Sequence, residues 1–266
     1  MACIHACWAL PGDVFDALKA SRETEESPVG RDVIDQLIEN AEIAYNEHVP
    51  ICQDTGLALV FVELGQDAHV VGGGLYDAIN EGIRQGYEDG YLRKSIVRHP
   101  LDRVNTQDNS PAVIHTTIVP GDRLKITVAP KGGGSENMSV ARVFPPAAGA
   151  AGIKQFVVDT VRNAGPNPCP PIIVGVGIGG TMEMAGILSK KAILRKIGES
   201  SRNPVDAKLE SDLLEAVNAT GVGPSGYGGR VTALAVNVES YPCHIASLPV
   251  AITLQCHAAR HKEVVL

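Results

Sequence analysis

Apolar residues recur at helical spacing through the first fifty positions. Val14 and Leu18 follow Pro11, a residue suited to the first turn of a helix. Ser27 reads as an N-cap with Pro28 behind it. Val33, Ile34, Leu37, Ile38, Ala41 and Tyr45 then form one apolar stripe that Pro50 ends. The charge-rich stretch 22–26 between these helices reads as a solvated helix end. Residues 57–64 are almost continuously apolar, which predicts a buried strand. Gly72-Gly73-Gly74 opens a helix with Leu75, Ile79, Ile83 and Tyr87 on one face and Gly90 as its stop. Segments 112–119 and 123–129 read as strands around Pro120-Gly121, predicting a hairpin, and a glycine-rich loop over 131–137 follows.

The second half alternates. Residues 149–163 are helical, with Ile153, Phe156, Val157, Thr160 and Val161 inward. Pro166, Pro168, Pro170 and Pro171 frame Cys169 in a rigid loop. A strand is expected over 172–178, helices over 181–197 and 206–218, a five-glycine loop over 221–229, and strands over 231–238 and 245–254. A hairpin combined with strand–helix alternation predicts an α/β fold of the mixed α+β kind, with mixed sheets flanked by helices. The expected organisation is a single domain over 1–266, with room for two lobes and a helical segment at 1–50.

Composition narrows the function classes. With 44% apolar and 20% charged residues the chain is globular, not disordered. A net charge of -7 and only 4% aromatic residues argue against a polyanion-binding face or base-stacking platforms, so no nucleic acid partner is expected. The most apolar run, 172–180, is short and broken by glycine, so no membrane span is expected. The N-terminus lacks a basic leader, and a cytoplasmic chain with its six cysteines reduced is expected.

Three of those cysteines sit in polar or proline-locked segments: Cys52-Gln53-Asp54-Thr55-Gly56, Asn167-Pro168-Cys169-Pro170-Pro171 and Cys256-His257-Ala258-Ala259-Arg260. Each can be a small buried hydrophobe. Three convergent thiolates also suit an iron–sulfur cluster with one iron left open as a Lewis acid. Zinc held through Cys256, His257 and His261 is a further alternative. The loop 131–137 offers consecutive N–H groups for an anion, or is a plain turn. Gly175-Val176-Gly177-Ile178-Gly179-Gly180 matches G-x-G-x-x-G, and a nucleotide-binding oxidoreductase would use it. The acidic strand end that should follow is missing, so a tight strand-to-helix turn is the better reading. Arg93 can be a surface charge or a fork for a carboxylate, and His244, at a strand start, can be structural or a proton carrier.

In combination these segments resemble a known family. The cysteine pentapeptide at 52–56, Leu92-Arg93-Lys94-Ser95, Asn105-Thr106, Asn109-Ser110-Pro111-Ala112, Lys131-Gly132-Gly133-Gly134-Ser135-Glu136-Asn137, Cys169-Pro170-Pro171, Gly179-Gly180-Thr181 and Cys256-His257-Ala258-Ala259-Arg260 are similar to the class I, iron–sulfur fumarases and tartrate dehydratases, in order from about 28 to 260. The resemblance covers that family's N-terminal, cluster-binding part and implies the alpha subunit of a two-subunit enzyme. It implies a [4Fe-4S] cluster on Cys52, Cys169 and Cys256, with Cys3, Cys7 and Cys243 left out. It implies that Gln53, Arg93 and Gly134 bind a small dicarboxylate substrate, and that Asp54 and His244 handle protons as a coupled pair. The implied reaction is reversible hydration of fumarate to L-malate in the tricarboxylic acid cycle, completed by a beta subunit in a heterotetramer. L-tartrate dehydratase and methylfumarate hydratase are the alternatives within the class. A non-catalytic stabilising subunit is the remaining one.

Overall fold

A computed structural model describes all 266 residues. In chain order the helices are α1 (Ala2–Trp8), α2 (Gly12–Thr24), α3 (Pro28–Glu47), α4 (Leu75–Asp89), α5 (Gly133–Glu136), α6 (Gly149–Ala164), α7 (Met182–Ala192) and α8 (Pro204–Asn218). The strands are β1 (Leu57–Gly65), β2 (Val113–Val119), β3 (Leu124–Lys131), β4 (Val140–Phe144), β5 (Ile172–Gly179), β6 (Ala233–Tyr241), β7 (Leu248–Gln255) and β8 (Lys262–Val265). Both sheets are mixed and helix-flanked, as the patterning predicted. The chain divides into two compact units. One comprises Met1–Pro11, Ala41–Gly133 and Arg260–Leu266; the other comprises Gly12–Asn40 and Gly134–Ala259.

In the first unit the sheet order is β2-β1-β3-β8. The expected hairpin does not form. β2 pairs parallel with β1, and β3 pairs antiparallel with β1, so β1 separates the two. The reason lies in β1 itself. Its run Ala58, Leu59, Val60, Phe61, Val62 is buried throughout, which a central strand satisfies and an edge strand does not. Ala58, Val60 and Val62 pack with Ile83 and Tyr87 of α4 and with Cys3 and Cys7 of α1. Those two cysteines are packing residues. Burial pushes the Cys7 thiol up to about 12, against the pull of the Arg260 charge. The short exposed strand β8 carries no apolar alternation and was not predicted.

In the second unit the order is β4-β7-β5-β6. One face buries Ile172, Val174 and Val176 of β5 against Ile153, Val157 and Val161 of α6 and Leu213 and Val217 of α8. The other face takes α7. A Cβ at Gly175 would collide with the Ser189 carbonyl oxygen, and one at Gly177 with the Ala185 carbonyl oxygen. These two glycines therefore let α7 lie directly on β5. Gly179 and Gly180, at φ +93 and +62, make the turn into the helix. The G-x-G-x-x-G string is thus a packing and turn device.

Two expectations fail here for electrostatic reasons. The helix predicted over 181–197 stops at Ala192, because Arg195 leaves it to bridge Glu210 and Glu239. The stretch 22–26 is not uniformly solvated, because Glu25 is wholly buried. Its carboxylate accepts N–H bonds from Glu26, Ser27, Arg230 and Val231 at 2.8–3.0 Å. The short strand β4, mostly exposed at the sheet edge, was not predicted either.

Candidate active site

The turn 52–56 runs into β1 and is gripped from beneath by buried side chains of its own unit. The Tyr87 hydroxyl donates to the carbonyls of Thr55 at 2.9 Å and Gly56 at 3.1 Å. Asn109 Nδ2 donates to the Gly56 carbonyl at 3.1 Å. Arg260 Nη2 donates to the Asp54 carbonyl at 2.8 Å. All three side chains are buried. Gly56 sits at φ +74, and a Cβ there would run into the Lys131 backbone, so no other residue fits. The Asp54 carboxylate closes the turn. Oδ1 accepts from Gly56 N at 2.9 Å and Oδ2 from Gly133 N at 2.8 Å. Thr55 Oγ1 accepts from Arg93 N at 2.9 Å, which fixes the Arg93 backbone to the same turn while its guanidinium stays exposed. What this scaffold leaves outward is chemistry: the half-exposed Cys52 thiol, which accepts from Asp54 N, and the exposed Gln53 amide.

In the second unit Cys169 is exposed at φ +56, a costly conformation for a residue with a Cβ. The peptide carbonyl it presents accepts from His257 N at 3.4 Å and lies 3.1 Å from His257 Nδ1. The proline-framed loop and the end of β7, where the half-buried Cys256 stands, are thereby tied together. Gly134 is exposed in α5, a one-turn helix where the sequence predicted a loop. His244 lies in the exposed loop 242–247 and not at a strand start, since β7 begins at Leu248. Its Nδ1 accepts from Ala246 N at 3.2 Å, which leaves the proton of the neutral ring on Nε2.

All six cysteines are free. The three in the polar motifs reach solvent, whereas Cys3 and Cys7 are buried. No three His, Cys, Asp or Glu side chains stand together at metal-ligand spacing. Two observations nevertheless fit a thiolate-bound cluster. Its donors would be soft, accessible sulfurs on backbone that other residues hold still. Arg260 is also a buried cation whose Nε and Nη1 have no hydrogen-bond partner. Buried N–H groups without acceptors are costly, and an anionic group bound beside the turn 52–56 would supply one.

Residues 1–265 match the sequence profile of the family described as fumarate hydratase (Fumerase). The chain belongs to the fumarate hydratase family. It is accordingly a hydro-lyase. Named relatives agree. The "Putative L(+)-tartrate dehydratase subunit alpha" of Methanocaldococcus jannaschii is 44% identical over 94% of this chain and 90% of its own. The L(+)-tartrate dehydratase subunit alpha of Escherichia coli K12 and that of Shigella sonnei are each 34% identical over 94% of this chain and 84% of theirs. Each of these relatives of this fumarate hydratase family member is named as an alpha subunit. No helix of it is long and apolar enough to cross a membrane.

The sequence reading of this hydro-lyase missed the residues that hold the cysteine turn. Tyr87 counted as one more apolar helix position, and its hydroxyl was invisible to periodicity. Asn109 and Arg260 were quoted within motifs but given no task. A signal existed: an arginine ending a buried segment needs an acceptor, and a carbonyl-rich turn supplies one.

Proposed function

We propose that this chain is the alpha subunit of a [4Fe-4S]-dependent hydro-lyase acting on a C4 dicarboxylate, with reversible hydration of fumarate to L-malate as the first reading. The observation that carries it is the turn 52–56, held by Tyr87, Asn109 and Arg260 so that Cys52 and Gln53 face outward. Cys52, Cys169 and Cys256 would hold the cluster. When bound, it supplies a Lewis acid for a substrate hydroxyl and carboxylate.

The other roles belong to the chain's own side chains. The Arg93 fork pairs with a substrate carboxylate through two parallel N–H bonds. The Gln53 amide hydrogen-bonds the substrate, and the Gly134 backbone meets its carboxylate. These donors stabilise the extra charge that a carboxylate carries when the neighbouring C3 proton leaves. His244 gives or takes a proton at Nε2. Asp54, proposed as its partner in proton handling, has both oxygens engaged with backbone N–H groups, so in this reading it acts by holding Gly133 and the turn in place. In dehydration the C2–O bond breaks, the hydroxyl leaves as water with a proton, and the C3–H electron pair forms the double bond. The C3 base comes from the partner subunit.

The names of the relatives favour a second reading, dehydration of L-tartrate. One methylene-sized or hydroxyl-sized difference in a pocket decides between such substrates. The test is steady-state kinetics of the anaerobically reconstituted complex with fumarate, L-malate and L-tartrate. A higher kcat/KM for fumarate than for tartrate supports the first reading, and the reverse order supports the second. No turnover of any of the three by a cluster-loaded complex would overturn both.

A further inference from the structure

β2 is an edge strand of the first unit, and no other strand pairs with its outer side. Natural sheets blunt such edges with charge, proline, bulges or brevity, because an open edge templates another chain. The opposite edge of the same sheet obeys this rule: β8 is four residues long and carries Lys262 and Glu263. β2 does not. It has seven residues, Val-Ile-His-Thr-Thr-Ile-Val, without lysine, arginine, carboxylate, glycine or proline. Six of the seven are β-branched, and its register with β1 runs unbroken from Val113 to Val119. Val113 is 45% exposed and Ile118 69%. Tyr76, itself 48% exposed, bonds Thr116 Oγ1 at 2.9 Å and stiffens the middle of the strand.

The strand is also nearly a palindrome about Thr116. In an antiparallel pair with a two-fold axis at Thr116, Val113 faces Val119 of the second copy, Ile114 faces Ile118, His115 faces Thr117, and Thr116 faces itself. Each apolar residue meets its own kind, and like β-branched pairs are favourable cross-strand neighbours. The pattern also fixes register. A slip by one residue turns every side chain of the mate to the other face and sets an isoleucine against Thr117 in one direction or against His115 in the other. Self-complementarity of this kind is what an isologous contact requires.

We propose that β2 is a dimerisation edge on which a second copy of this chain pairs its own β2 antiparallel, joining two four-stranded sheets into one of eight strands. The proposal is independent of the substrate and of the iron–sulfur reading.

The test uses the full chain. Sedimentation velocity from about 1 to about 100 µM is expected to show twice the 28.0 kDa chain mass. Ile118→Lys sets a charge opposite Ile114 of the mate and is expected to raise the dimer dissociation constant at least about 100-fold. Because Ile118 is exposed, the circular dichroism spectrum of the variant should match the parent, and its thermal midpoint should lose only the concentration-dependent part that dimerisation adds. Thr116→Cys places two sulfurs across the axis within disulfide reach and should yield oxidised dimer above the background of the native cysteines. Val113→Cys lies six residues from its own mate, about 20 Å, and should not. This pair of variants decides the register even if Ile118→Lys misfolds. A monomeric parent at about 100 µM, which would leave the edge to a strand of some other protein, overturns the proposal. So does an Ile118→Lys variant that dimerises like the parent, or a Val113→Cys variant that cross-links as well as Thr116→Cys.

Discussion

Removing the Glu25 carboxylate should cost more stability than any other single exchange between α2 and α3. The side chain is wholly buried, yet it ends a stretch that looks like solvated surface. Its oxygens accept from four backbone N–H groups, those of Glu26, Ser27, Arg230 and Val231. Burial by itself raises the carboxyl pKa; the four donors outweigh it and hold the group below its ordinary value. In Glu25→Ala the Val231 N–H stays buried without an acceptor, at about 1–3 kcal/mol. The other three are part-buried and regain water, at about 0.5–1 kcal/mol each. The sum is about 4 kcal/mol, or a fall in thermal midpoint of about 8–16 °C for a chain of this size. Urea and thermal unfolding followed by circular dichroism measure it. Glu26→Ala is the control, since Glu26 is an exposed partner of Arg230 and should cost less than about 1 kcal/mol. The sign of the pH dependence follows from the lowered pKa. Glu25 contributes fully above the ordinary glutamate value of about 4.3 and loses its contribution as pH falls through the folded-state value. The gap between parent and Glu25→Ala should therefore narrow on acidification below about pH 4. A loss under about 1 kcal/mol at neutral pH, or a gap that widens in acid, would refute the reasoning.

Other residues give further expectations. Gly177→Ala drives a Cβ into the Ala185 carbonyl and should destabilise by about 1–3 kcal/mol, read as a lower urea midpoint. Tyr87→Phe deprives the Thr55 and Gly56 carbonyls of a buried donor and should cost about 1–3 kcal/mol, measured the same way. Arg93→Lys keeps the charge but loses the fork. It should lower kcat/KM of the reconstituted complex by about 10-fold or more while leaving the thermal midpoint unchanged, because the side chain is exposed.

Periodicity carried most elements because the long helices and the buried strands each place apolar residues at one clear spacing. It could not tell that β1 lies between β2 and β3, since pairing partners depend on which strand most needs both edges covered. It also missed β4 and β8, which are short and exposed. The cysteine motifs were legible as unusual local chemistry. Their supports were not, because Tyr87, Asn109 and Arg260 act through hydrogen bonds to carbonyls more than thirty residues away in sequence. Glu25 shows the same limit: a glutamate among charges reads as solvent-facing until the N–H groups of 230 and 231 are brought to it. The string of glycines at 175–180 matches a nucleotide motif, yet the missing acidic strand end already marked it as a turn; only the close contact between α7 and β5 at Gly175 and Gly177 needed the structure.

The most direct test of the central claim is iron and acid-labile sulfide content, with the visible spectrum, of the anaerobically reconstituted chain and of Cys52→Ser. The account predicts about four irons and four sulfides per chain, with visible absorption, and loss of both in the variant. Absence of iron, or iron binding indifferent to Cys52, would contradict it.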